Sequence, residues 1–349
     1  MQTQPREMLI SRLGSIESDL SGASSMISDV QNKIACVESA MGSLQSRLVT
    51  VRGQGYAAMG HLEKGIDLLV KKWAETGPLV KQAYYSNLQP LTSQINMLEN
   101  ETRRLRTQTN LGSIGLNESA LLRLATESSN LRARINSEAA KVSNPVNQLA
   151  AGVNAIDRDL KVAETSLRLF SQAAFPLKPD ESPVLAIEGK IMSGQKNEGT
   201  LYFTNRRFVF EGKKEIVLEK KLFIATKKKT ERTVAIDQPI GALQEISKGR
   251  VGLFAWTGIY ARFKPGSGMQ ETPFDVKGWE ADVITRFYSY ITGGEADRDI
   301  AQTRGTPVQT TESIQIVRCP SCGGPYSREI FRGQTAVQCE YCGTQIIIH

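Results

Sequence analysis

Gly199-Thr-Leu-Tyr-Phe-Thr-Asn-Arg-Arg-Phe-Val-Phe-Glu-Gly212 places aromatic and β-branched residues on both sides of a Thr204-Asn205 turn, with glycine at each end. Such residues fit a pleated, half-buried surface, so the stretch reads as two strands joined by a tight turn. Working outward, the same strand-like character places further strands at 184–191, 221–226, 233–236, 252–263 and 272–276. Trp279, Val283, Phe287 and Tyr290 then recur at helical spacing, which predicts a closing amphipathic helix over 279–291.

Upstream, Phe175-Pro-Leu-Lys-Pro-Asp-Glu-Ser-Pro183 holds three prolines in nine residues and cannot continue a helix. Before it the period changes. Leu9, Leu13, Ile16, Leu20, Ala23, Ile27, Val30, Ile34, Val37, Met41, Leu44, Leu48 and Val51 alternate steps of four and three, and every position is apolar. That is a heptad seam on one helix, about 65 Å long at ~1.5 Å per residue. Its other faces are rich in Ser and Gly, which lowers intrinsic helicity, so the helix needs a partner. Shorter helices fit Met59 to Trp73 and Leu91 to Leu105. Gly77-Pro78 reads as a break, a kink is expected near Pro90, and 109–117 reads as a turn.

A second seam runs Ile135, Ala139, Val142, Val146, Leu149, Val153, Ile156, Leu160, Ala163, Leu167, Phe170. Two seams separated by a turn can fold back as an antiparallel bundle within one chain. They can equally assemble copies of the chain, since β-branched residues at Ile16, Val30, Val37 and Val51 suit two-stranded parallel coiled coils. Cys36 lies off the seam and reads as a bystander.

The strand order ending in one helix, with Gly199-x-Leu-x-Phe-Thr-Asn-x-Arg-Phe-x-Phe210, resembles the GRAM branch of the pleckstrin-homology (PH) superfold. Pro239-Ile240 and Ile246 resemble the family's Ile-Pro-Leu-x-x-Ile stretch more loosely. The resemblance covers about residues 180–292 and implies a split β-barrel capped by its C-terminal helix. Members bind phosphoinositides or other anionic lipids, peptides or ubiquitin, and many bind no lipid. The loop where lipid-binding members carry basic residues corresponds to 191–198, which holds only Lys196.

Positive charge is concentrated later. Arg206, Arg207, Lys213, Lys214, Lys220, Lys221, Lys227, Lys228, Lys229 and Arg232 stand against Glu211, Glu215, Glu219 and Glu231, a local excess of six in a chain of net charge +7. Such a segment attracts an anionic membrane surface or, more salt-dependently, nucleic acid. Lysines also protect strand edges from pairing, so a plain solvated edge is the third reading.

The tail carries Cys319-Pro-Ser-Cys322-Gly-Gly and Cys339-Glu-Tyr-Cys342-Gly. Thiolates three apart grip one side of a tetrahedral ion, and a second pair closes it. Gly323 and Gly343 let the chain turn and aim amides at sulfur. Strands are expected over 326–331, 335–338 and 345–348 around a turn at Arg332-Gly333, an order similar to the zinc-ribbon family. Cys319, Cys322, Cys339 and Cys342 are thus expected to hold one structural Zn2+, with rubredoxin-type iron the other use of four cysteines.

These readings give a multidomain chain: a helical coiled-coil or bundle region over 1–175, a Pro-rich linker over 176–183, a GRAM/PH-like domain over 184–292, a polar linker over 293–316 and a zinc ribbon over 317–349. There is no long apolar run and no signal-peptide core, and the cysteines are paired as metal knuckles, which points to the cytoplasm, with peripheral membrane contact through the basic segment. His61 and His349 are the only histidines, and no phosphate-cradling glycine loop precedes a helix. A non-enzymatic adaptor is expected, without a small-molecule substrate, that docks on an anionic membrane surface or a protein partner and can homo-oligomerise through its seams. A nucleic-acid-associated zinc-ribbon factor and a purely structural self-assembling rod are the alternatives.

Overall fold

The computed structural model describes residues 3–110, 117–193, 197–221, 224–252, 255–305, 318–326 and 328–348; side chains at 3–6, 117, 214–221 and 224–230 lie outside that description. The turn expected over 109–117 falls almost wholly outside it. The chain divides into two compact units, Met1–Ser46 with Glu63–Asp157, and Arg47–Leu62 with Arg158–His349.

The first unit is helical, built from α3 (Leu91–Asn110) and the greater parts of α1 (Thr3–Gly53), α2 (His61–Ala83) and α4 (Asn117–Phe170), the ends of α1 and α4 and the first residues of α2 belonging to the second unit. All thirteen positions of the first seam are buried within the single chain. The partners are identifiable. Glu17 pairs with Arg106 at 2.9 Å, Gln31 with Tyr84 at 3.0 Å and Glu38 with Lys81 at 2.7 Å. Partner numbers fall as the α1 number rises, so α2 and α3 run antiparallel to α1. Asn87 donates to Glu138 at 3.2 Å and Arg123 pairs with Glu101, which turns α4 back again. The seam is therefore covered by the chain's own helices.

Two local expectations are corrected. Gly77-Pro78 does not break the helix: α2 runs through to Ala83 with Pro78 inside. A proline removes one backbone hydrogen bond, and the buried Val80, Tyr84 and Leu88 hold the segment helical by packing. The irregularity comes later, as a π-turn over Tyr84–Leu88 closed by Gln89 N donating to Tyr84 O at 3.0 Å, before Pro90 and the start of α3. The second seam also slips at its end. Ser166 and Leu169 are buried, whereas Leu167 and Phe170 are only partly so.

The second unit explains that slip. Its sheet contains β1 (Pro183–Ile191), β2 (Asn197–Thr204), β3 (Arg207–Lys221), β4 (Ile224–Pro239), β5 (Leu243–Val251), β6 (Trp256–Phe263) and β7 (Thr272–Asp275), antiparallel throughout in the order β4-β3-β2-β1-β7-β6-β5. Ser166 Oγ accepts from Ala186 N at 2.9 Å and Tyr202 Oη donates to Leu169 O at 3.2 Å, so the end of α4 is turned by hydrogen bonds to the sheet. Phe203, Phe208, Phe210 and Phe274 fill the sheet's other face, with Ile284, Phe287 and Ile291 of α5 (Gly278–Thr292) buried as well.

A four-strand and a three-strand meander meet where β1 pairs with β7, through Lys190↔Asp275 and Ile191↔Phe274. Among the described residues no pairing joins β4 to β5. β5, with its polar Leu-Gln-Glu-Ile-Ser-Lys-Gly-Arg-Val pattern, carried too little alternation to be expected.

Of the two strands expected separately, 221–226 and 233–236, the second and the 224–226 part of the first belong to the single strand β4, whereas Lys221 ends β3. β3 pairs with β2 only as far as Gly212 and then with β4 alone, through Lys221↔Ile224. The basic segment thus rises along one strand and returns along the other of a two-stranded arm.

The expected polar linker after α5 contains a helix, α6 (Glu295–Arg304), set between two left-handed glycines, Gly294 and Gly305. Only Ala296, Ile300 and Ala301 bury apolar surface. In the tail, β8 (Ala336–Gln338) and β9 (Gln345–Ile347) pair, while no strand is described over 326–331.

Candidate metal centre

Two tight knuckles bring the four tail cysteines together. Gly323 N donates to Cys319 O at 2.9 Å and Gly343 N to Cys339 O at 3.0 Å, and both glycines lie in the left-handed region that their turns require. The β8–β9 ladder closes the loop that carries the second knuckle, and the Arg318↔Pro325 bridge closes the first. All four Sγ atoms lie within 4.8 Å of one another, with Cys319 and Cys339 buried and Cys322 and Cys342 exposed.

The spacing tests the metal. Cys319 Sγ lies 3.8 Å from Cys342 Sγ, and Cys322 Sγ 3.7 Å from Cys339 Sγ. Sulfurs on a tetrahedral zinc at ~2.3 Å stand about 3.8 Å apart, whereas a disulfide requires ~2.05 Å. The separations fit the ion and exclude a disulfide. The thiol chemistry agrees. The Thr344 hydroxyl, 3.2 Å from Cys342 Sγ, and the Thr344 amide hold that thiol down to about 6. The Cys322 amide, against burial and with help from the Ser321 amide, likewise lowers Cys319. At Cys322 the Gly324 amide favours the thiolate, but hydrogen bonding with Cys342 and Cys339, added to burial, pushes it up to about 12. Four thiolates so close cannot all ionise by themselves, and a divalent cation removes the conflict. With four sulfurs, no coordination position remains for a substrate.

The module is anchored, not tethered. At its tip Arg332 donates to Asp297 Oδ2 at 2.6 Å and to Ile291 O at 2.7 Å, while Arg332 O accepts from Gly241 N at 2.9 Å. Gly333 has φ +87°, and a Cβ there would overlap the Arg206 carbonyl oxygen. Lys264 pairs with Glu329 at 2.9 Å. Nothing local marked Arg332 beyond its turn position, and Asp297 sat in what read as linker.

The Thr-Asn-x-Arg core of the sheet domain is equally structural. Arg207 makes two 2.7 Å hydrogen bonds to Glu181 and one of 2.9 Å to Asp237, and Thr204 Oγ1 donates to Glu181 at 2.6 Å. Asn205 accepts from Ser182 N at 2.8 Å and donates to Asp297 at 3.0 Å. Burial alone would raise the Glu181 carboxyl, but the hydrogen bonds from Arg207, the Lys178 amide and Thr204 hold it below the usual carboxylate range. The segment 176–183 is thereby clasped to the β2–β3 turn.

Of the expected anionic-surface residues, Arg206 and Arg207 are buried, Arg206 beside Asp180 at 3.5 Å, and Lys213 pairs with Glu188 at 2.8 Å. The side chains of Lys214, Lys220, Lys221, Lys227, Lys228 and Lys229 lie outside the described residues. Their strand register sets Lys214 opposite Glu231 and Lys227 opposite Glu219. No helix among the described residues is long and apolar enough to cross a membrane.

A helical part followed by an antiparallel sheet domain with a closing helix and a four-cysteine cluster is the class of architecture present. No protein-family model and no curated protein sequence matches the chain. Among solved structures it is similar to a truncated linker–DH/PH fragment of p115-RhoGEF, at 10% identity over 84% of this chain and 98% of that one, with a TM-score of 0.22. It is also similar to the DH/PH domains of PDZ-RhoGEF in complex with GTP-γ-S-activated RhoA, at 10% identity over 84% and 96%, with a TM-score of 0.27.

These neighbours come from Rho guanine nucleotide exchange factors, and the expectation of a chain without enzymatic activity is withdrawn.

Proposed function

We propose that the chain is a docking and scaffolding protein. Its sheet domain, 184–292, is a GRAM/PH-like module, and its tail, 317–349, is a zinc ribbon folded by one structural Zn2+ on Cys319, Cys322, Cys339 and Cys342. The observation that carries this reading is the pairing of Arg332 with Asp297. It makes tail and sheet domain one composite surface, in which the metal sets the shape a protein partner meets. The two-stranded arm bearing Lys213, Lys214, Lys220, Lys221, Lys227, Lys228 and Lys229 is the part suited to an anionic membrane surface, at roughly 1 kcal/mol per lysine close to the lipid. The helical unit serves as the spacer on which these surfaces are held.

Co-sedimentation of the full chain with neutral and with phosphatidylserine-containing vesicles, beside a DNA mobility-shift assay, tests the arm. Binding to the anionic vesicles alone, lost on exchanging Lys227, Lys228 and Lys229 for Glu, supports it. Equal binding to neutral vesicles, or binding untouched by the three exchanges, sinks it. Preferential binding to DNA would move the arm to nucleic acid.

A further inference from the structure

Leu167 and Phe170 are the two seam positions that the helical pattern marks as core and the fold leaves partly open. They do not face bulk solvent at random. Together with Val51 at the end of α1, and with Leu177 and Pro183 of the clasped segment, they floor a cleft of about 760 Å³ in the second unit. That volume lies within the range of pockets that take a small organic ligand. Leu177 is 40% exposed there, an apolar side chain left on the open side of an otherwise folded segment.

The polar groups around this floor are unevenly committed. Glu164 is taken by Arg47, which donates to it from two nitrogens at 2.7 and 3.0 Å. Glu181 is taken by Arg207, and its side chain is fully buried. Both acids of the cleft are therefore neutralised from within the fold. Arg168, on α4, and Arg304, at the end of α6, also line the cleft and are exposed. Among the described residues neither forms an ion pair or donates a side-chain hydrogen bond. An apolar floor with two guanidinium groups outside any ion pair among the described residues, Arg168 acting only from a distance on the Glu188 carboxyl, is complementary to a molecule that is apolar along its body and anionic at its head. Guanidinium suits carboxylate and phosphate alike, because its planar fork donates two hydrogen bonds to either.

We propose that this cleft binds a single-chain amphiphile with an anionic head, its acyl chain over Leu167, Phe170 and Leu177 and its carboxylate or phosphate between Arg168 and Arg304. The site stands apart from the cysteine cluster and from the lysine arm, and its fate does not depend on theirs.

Calorimetric titration of the full chain with dodecanoate and with dodecyl phosphate, each below its micellar concentration, tests the site and tells the two headgroups apart. Dodecyltrimethylammonium and dodecyl maltoside serve as the cationic and neutral controls. One equivalent of an anionic ligand is expected to bind. The Arg168→Gln, Arg304→Gln double variant should lose about tenfold or more in affinity, as expected for removing charged hydrogen bonds. Both arginines are exposed, so this variant keeps its thermal unfolding temperature. Leu177→Asp, on an exposed loop position, should weaken binding by a similar factor through the floor. Three outcomes overturn the proposal: neither anion binds, the cationic or neutral amphiphile binds as well as the anionic ones, or the double variant binds like the parent.

Discussion

Arg332 Nη2 donates to Asp297 Oδ2 at 2.6 Å, and this single contact joins the turn of the cysteine module to a helix that precedes it by some thirty residues. The same carboxylate receives Asn205, so the β2–β3 turn, α6 and the module share one acceptor. Both partners are mostly buried, at 22% and 11% side-chain exposure, which gives the pair weight that an exposed ion pair lacks.

A double-mutant cycle measures that weight. Arg332→Ala and Asp297→Ala should each lower stability in chemical denaturation, with a coupling of about 1–3 kcal/mol between them. Gly333→Ala should loosen the module by a different route, because its Cβ meets the Arg206 carbonyl. Additive single effects would show that the contact does not hold the module.

Metal content is checked by elemental analysis and thiol titration together. One zinc per chain is expected, with one thiol, the exposed Cys36, reacting in the native protein and four more released after chelation. Cys339→Ser should abolish stoichiometric zinc and unfold the tail, since such sites contribute roughly 10–16 kcal/mol of binding to folding. Five freely reactive thiols in the native protein would remove the site.

Acid sensitivity follows from Glu181. Its folded pKa lies below its unfolded value of about 4.3, so its contribution is complete above that value and fades as pH falls through the folded pKa. Asp159 behaves alike: burial opposes its ionisation, but His61 at 2.9 Å and Arg286 at 2.8 Å more than compensate. The parent should therefore lose stability steeply below about pH 4. Glu181→Gln should cost about 1–3 kcal/mol at neutral pH by leaving Arg207 with Asp237 as its one carboxylate, and should flatten the acid limb. A Gln variant as stable as the parent at pH 7 would contradict the clasp.

The covered seam gives a fourth expectation. Leu20→Ala, at a position 1% exposed, should cost about 2–5 kcal/mol without changing the sedimentation of the folded chain. A loss of mass in sedimentation equilibrium, with little change in stability, would return the seam to an intermolecular role.

Several features were legible from residues alone because each depends on near neighbours. The seam from Leu9 to Val51 declares a helix face by its period, the 199–212 stretch declares a hairpin by its aromatic alternation, and two Cys-x-x-Cys knuckles declare a tetrahedral site by their spacing. The same logic failed where packing outweighs local preference, as at Pro78 inside α2 and in the short, polar α6. The basic segment shows the limit most plainly. Arg206 and Arg207 belong to it by composition, yet burial beside Asp180, Glu181 and Asp237 makes them part of the frame.

Sequence alone therefore determined the helical seams, the strand-rich second half and the pairing of cysteines that the fold gathers into one cluster, since periodicity and spacing are carried along the chain. Tertiary structure alone decided which helices cover the seam, that Arg332 seats the cysteine module on Asp297, and that Leu167 and Phe170 open onto a cleft beside Arg168 and Arg304. Those choices rest on contacts between residues far apart in the chain. A carboxylate or guanidinium leaves no local trace of the partner that will desolvate with it.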